Sequence, residues 1–152
     1  MKLAEALILR ADSSRRVEQL RQRLLRSAKV QEGNQPAEDP QELIAELERV
    51  SGQLEQFVQR INRTNSNTML DEAMSLSDAL AVRDNLKLKQ GIYQNLAQAA
   101  VVTQDRYSKS EVKFTSTVDV AAIQRRADDL ARRHRDLDAK IQEANWRTEL
   151  LD

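Results

Sequence analysis

The sequence predicts a mainly α protein: four long helices in a bundle or coiled-coil-like arrangement, with a small two-stranded β ribbon near residues 67–70 and 111–118. Three observations carry this. Ile123, Ala127, Leu130, His134, Leu137, Ile141, Ala144, Thr148 and Leu151 recur at alternating steps of four and three, and seven of these nine are apolar. That is the heptad pattern of a helix that buries a narrow stripe against another helix. Composition agrees, with 3% aromatic residues, three glycines and two prolines in 152 residues; so few breakers and aromatics favour helix over sheet. Finally, a chain of this length buries roughly 70% of its unfolded surface, enough for a core without covalent staples. One helical domain over residues 1–152 is the expectation, with helices at about 2–30, 40–62, 76–102 and 119–149.

The first helix carries Leu3, Ala6, Leu7, Val17, Leu20, Leu24 and Ala28 on one side. Its middle is weak, because Arg10, Ser13 and Ser14 fall where apolar residues are expected. It stops at Glu32-Gly33-Asn34-Gln35-Pro36, a stretch a helix does not tolerate. The second helix opens on Asp39 as N-cap, Pro40 at the first helical position and Glu42 three residues on, a capping-box-like start. Leu43, Leu47, Val50, Leu54, Phe57 and Ile61 follow in four-three rhythm, and Asn62-Arg63-Thr64-Asn65-Ser66-Asn67 is expected to close the helix. The third helix has a broader apolar face: its stripe is Val82, Leu86, Lys89, Tyr93, Leu96 and Ala100, flanked by Leu88, Ile92 and Ala99, which predicts more than one neighbour. The fourth bears the heptad stripe and is expected to be capped by Asp119. Glu111–Val118 is β-branched and roughly alternating, so it reads as a strand, with Asn67–Leu70 as its mate.

Charge adds topology and exclusions. Residues 1–30 hold eight basic and three acidic side chains, whereas residues 31–62 hold two and seven. Helices of opposite charge suit an antiparallel hairpin, although each exposed pair contributes only ~0.2–1 kcal/mol. Overall the 24 basic and 24 acidic residues cancel, without the basic excess of a duplex-binding protein, so no nucleic-acid partner is expected. The absence of cysteine excludes disulfides and thiolate chemistry. No apolar run approaches the ~18–20 residues of a membrane span. The first nine residues are too short and too charged for a secretory signal, so the expected location is the cytoplasm.

Chemistry has few places to reside. His134, the single histidine, stands among Arg132, Arg133 and Arg135, which disfavour a metal ion; a packed seam position is expected, with no metal and no cofactor. Asp128, Asp129, Asp136 and Asp138 read as solvated partners of Arg125, Arg132 and Arg133. No phosphate-binding loop, dinucleotide fingerprint, nucleophile elbow or zinc-protease motif occurs. Two polar groups at helix ends remain as ligand-binding candidates: Asn62, Arg63 and Asn65, and Arg106, Tyr107 and Lys109. If the ribbon forms, it brings both to one end of the bundle, where they could cradle an anion. Trp146, with Ile123, Leu130, His134, Leu137 and Ile141, is a candidate for a helix seam or interface.

Several segments carry a family likeness across nearly the whole chain: Val30-Gln31-Glu32-Gly33 with Pro36-Ala37-Glu38-Asp39-Pro40, Ile61-Asn62-Arg63-Thr64-Asn65, Asp105-Arg106-Tyr107-Ser108 through Phe114, and Ile141-Gln142-Glu143-Ala144-Asn145-Trp146. They resemble a family of short bacterial proteins of unknown function that carry the label septicolysin. The resemblance attaches no reaction to any residue, and its label implies a membrane-active cytolysin. The residues favour a different reading, because the cholesterol-dependent cytolysins are large and sheet-rich with a Trp-rich loop, whereas this chain is small and helical with one Trp. The leading expectation is a non-enzymatic protein that works through protein contacts as a homo-oligomer. Anion or small-molecule binding at the polar helix ends is the alternative.

Overall fold

The computed structural model describes residues 1–102 and 112–152. Four α-helices account for most of them: α1 (Leu3–Ser27), α2 (Pro40–Asn67), α3 (Leu76–Ala99) and α4 (Val120–Arg147). The chain divides into two compact units, one of Met1–Leu76 with Gln142–Asp152, the other of Ser77–Ile141.

In the first unit, α1 and α2 form the expected hairpin. The connection turns at Gly33, whose φ of +84° lies in the left-handed region that glycine enters without steric cost. Asn34 N donates to Gln31 O across this turn at 2.9 Å. Asp39 then caps α2 by accepting from Gln41 N at 2.9 Å, with Pro40 in the first turn. Leu20, Leu43 and Val50 are buried together, flanked by Val17, Leu24 and Leu47. Each fully buried side chain of this size contributes about 1.5–3 kcal/mol. The opposite charges of the two helices meet where Arg23 grips Glu38 through two nitrogens and Arg16 approaches Glu46 at 3.8 Å.

A second cluster gathers segments far apart in sequence: Leu3, Ala6, Ile61, Leu76 and Leu150, with Leu7, Phe57, Leu70 and Ala144 against it. Here residues 1–3 pair with 148–150. Leu3 N donates to Thr148 O at 2.9 Å and Leu150 N to Met1 O at 2.8 Å, around a Lys2–Glu149 bridge.

Two expectations are corrected. No ribbon joins 67–70 to 112–118, and Glu111 lies outside the described residues. Met69 instead bridges Ser75, Leu70 N donates to Met74 O at 2.9 Å, and Leu76 N donates to Thr68 O at 2.8 Å. Asp71 supports this loop by accepting from Ala73 N at 2.8 Å and Met74 N at 3.0 Å. A partner six residues away closes at an entropic cost about 1.7 kcal/mol below that of one some forty residues away, which favours the local pairing over the ribbon. Residues 112–116 carry no regular secondary structure, and Phe114 is 77% exposed. Second, α2 does not end at residue 62. Thr64 Oγ1 donates to Arg60 O and Asn67 Nδ2 to Arg63 O, both at 2.8 Å. Polar side chains bonded to the carbonyl four residues back leave the helix intact instead of breaking it. The other helix ends fall within three residues of expectation.

Acid is expected to weaken the first unit. A hydrogen bond from Arg23 holds the Glu38 carboxyl below its ordinary range, Arg49 does the same for Glu46, and Lys2 for Glu149. Arg21 and Gln22 lower Glu18 to about 2. A depressed carboxylate contributes stability that is fully present above its unfolded pKa, about 4.3, and lost as pH falls through the folded value. Urea midpoints are therefore expected to be flat from pH 8 to 5 and to fall below about pH 4. The shift is modest because these pairs are solvated, and equal midpoints at pH 6 and 3 would refute it.

Candidate functional site

The second unit presents two features that the core does not use. The first is on α3. Ala79, Leu86 and Ala97 are buried and share one face, since five turns separate Ala79 from Ala97 at 3.6 residues per turn. Leu88 lies about 200° round the helix from Leu86, and Leu88, Ile92 and Leu96 form an outward stripe at i, i+4 and i+8. This stripe runs into an open cavity of about 380 Å³ lined by Leu96, Val101, Val102 and Phe114 among others. Leu88, Ile92, Leu96, Val101, Val102 and Phe114 are between 37 and 77% exposed.

The second feature lies between α3 and α4. Arg83 Nη1 donates to Asp138 at 3.0 Å, and the Arg126 guanidinium stands 5.7 Å from the centre of the Tyr93 ring. Moving up α3 from Arg83 to Tyr93 thus moves down α4 from Asp138 to Arg126, so the two helices run antiparallel here. Asp119 caps α4 as expected, accepting from Ala122 N at 3.1 Å. Between the helices is an open groove of about 450 Å³ lined by Lys89, Tyr93, Ala122, Arg125, Arg126, Asp129, Leu130 and Arg133. Arg126 also donates to Tyr93 Oη over a long 3.5 Å. The expected pairing of acids with arginines on this helix holds only in part: Asp129 accepts from Arg132 at 2.7 Å and Asp128 from Gln124 at 3.0 Å. Arg125 and Arg133 have no carboxylate partner among the described residues.

The sequence-derived candidates distribute as follows. On the heptad stripe of α4, Ala127, Leu130 and Ile141 are buried, and Ile123, His134, Leu137 and Ala144 half-buried. Leu151 and Trp146 are exposed, the latter by 56%. The stripe is therefore largely covered within the chain, and so is that of α2 from Leu43 to Ile61. Asn62 and Arg63 are exposed on the last turns of α2 and Asn65 is half-buried. Arg106, Tyr107 and Lys109 lie outside the described residues. No group of three or more metal-ligating side chains occurs among the described residues, nor any helix long and apolar enough to cross a membrane.

Residues 10–150 match the sequence profile of a family of unknown function, DUF6847. The chain belongs to that family. Its fold matches a crystal structure described as that of a functionally unknown conserved protein from Corynebacterium diphtheriae, with a TM-score of 0.94 and 50% identity over 99% of each chain. No curated protein matches the chain. Both matches are of unknown function, as the resemblance implied, and neither carries the septicolysin label.

Sequence reasoning registered the broad apolar face of α3 but not the basic groove. The signal was present as Lys89 and Tyr93 at i, i+4 and Arg126 and Arg133 at i, i+7. It becomes legible only once α3 and α4 are known to run antiparallel in this register.

Proposed function

We propose that this DUF6847 protein works without catalysis, as a helical protein-contact module, and that it self-associates through the outer face of α3. The outward stripe of Leu88, Ile92 and Leu96 carries the reading. Together with Val101, Val102 and Phe114 it leaves six large apolar side chains between 37 and 77% exposed on one unit of the chain, where a standard interface takes about 800 Å² from each partner. Large apolar side chains gathered in one exposed patch mark an interaction surface. A second copy of the chain is the occupant that fits best. A two-fold axis sets the same stripe on both sides of the interface, and a net charge of zero imposes no long-range repulsion between copies. The heptad stripes of α2 and α4 are already covered, so they have little apolar area left for a partner.

Light scattering across a hundredfold range of concentration tests this. The expected result is a mass that reaches a multiple of 17.4 kDa, and an Ile92→Glu variant that stays at the single-chain mass and melts like the wild type at concentrations where the wild type is dissociated. Ile92 is 56% exposed, so the charge is tolerated in the isolated chain. A wild-type protein that remains a monomer throughout, or an Ile92→Glu variant with the wild-type mass, would defeat the proposal.

A further inference from the structure

We infer that the groove between α3 and α4 is a binding site for a small anion carrying two or more phosphate groups. Four cations, Lys89, Arg125, Arg126 and Arg133, line it against one acid, Asp129, which already accepts from Arg132. Lys89, Arg125 and Arg133 have no carboxylate partner among the described residues. A groove in the first unit supplies the contrast. It too is lined by two arginines, Arg16 and Arg23, but Glu38 and Glu46 neutralise them. Cations gathered in a concave surface without counter-charges repel one another and concentrate anions. The same chain thus pairs its basic side chains in one interhelical groove and leaves them available in the other.

The dimensions select the ligand. Arg126 and Arg133 are seven residues apart, about 10 Å along the helix axis, so the cations are spread along the groove and a longer anion meets more of them than one phosphate does. A chain of two or three phosphates reaches both, and guanidinium forks suit their oxygens. Tyr93 Oη accepts from Arg126, which leaves its own proton free to donate to a phosphate oxygen. The ring carries Arg126 over one face at 5.7 Å, so the guanidinium is held toward the groove rather than dispersed in solvent.

Titration calorimetry at low salt with inorganic pyrophosphate and tripolyphosphate tests the site. One equivalent is expected to bind, more tightly than inorganic phosphate, and Lys89→Gln with Arg133→Gln is expected to weaken binding at least tenfold. Arg10→Gln, which removes an exposed arginine of α1, is expected to leave affinity unchanged. Thermal unfolding of each variant without ligand confirms that it is folded, and pyrophosphate is expected to raise the melting temperature of the wild type more than that of the double variant. Absence of binding by either polyphosphate would overturn the inference. So would an Arg10→Gln loss equal to that of the double variant, which would mean diffuse charge attraction with no site.

Discussion

Ile61→Ala is expected to destabilise the protein by about 2–5 kcal/mol, the range for truncating a fully buried aliphatic side chain. Ile61 is 1% exposed and packs in a cluster with Leu3, Ala6, Leu76 and Leu150. Those residues come from α1, the start of α3 and the stretch after α4, so filling the cavity would require several anchored segments to move together. Backbone hydrogen bonds between residues 1–3 and 148–150 hold two of those segments at their stations. Poor relaxation places the cost toward the upper part of the range. In thermal unfolding this corresponds to a loss of about 5–15 °C for a chain of this size. Leu88→Ala is the matched control. It removes as much apolar volume from a side chain that is 62% exposed, and in the monomer its effect is expected to stay within about 0.5 kcal/mol. Comparable losses from the two variants in denaturant titrations at low protein concentration would refute this assignment of the core.

The contrast between Ile61 and Leu88 also shows what was legible in the sequence. Apolar periodicity identified all four helices, because each long amphipathic stripe has the same period as the helix that carries it. The charge reversal between residues 1–30 and 31–62 pointed to the α1–α2 hairpin, and Arg23–Glu38 is its physical expression. The pattern does not say which of two apolar faces on one helix is covered. Leu86 and Leu88 are chemically alike, yet one is 4% and the other 62% exposed. Likewise, β-branched alternation at 112–118 is a property of a single segment, whereas a strand requires a partner, and the partner was occupied by Ser75. The basic groove depends on register between two helices separated by a long connection, which no local pattern encodes. Packing gives no reason for glycine at Gly52 or Gly91: a methyl group added at either would meet nothing within 4 Å.

Thr64 is where a polar residue concealed the continuation of a stripe. The rhythm Leu43, Leu47, Val50, Leu54, Phe57, Ile61 continues with a step of three to Thr64, which is 0% exposed. A hydroxyl at a core position is tolerated only when it is hydrogen-bonded, and Thr64 Oγ1 both donates to Arg60 O at 2.8 Å and accepts from Leu151 N at 3.0 Å. The second bond fastens the C-terminal stretch to α2, beside Arg60 Nε donating to Leu151 O at 3.0 Å. Thr64→Val preserves shape and adds apolar character, so hydrophobicity alone predicts a gain. The hydrogen bonds predict the opposite. Arg60 O lies within the helix and keeps its backbone partner, but the Leu151 N–H loses its acceptor in a part-buried setting, at a cost of about 1–3 kcal/mol. Thr64→Ser keeps the hydroxyl and loses a methyl group, for about 1 kcal/mol. Amide exchange separates the two: Leu151 is expected to lose protection in Thr64→Val and to keep most of it in Thr64→Ser. A valine variant as stable as wild type, with Leu151 still protected, would mean that packing around Ile61 and Leu150 alone holds the C-terminal stretch in place.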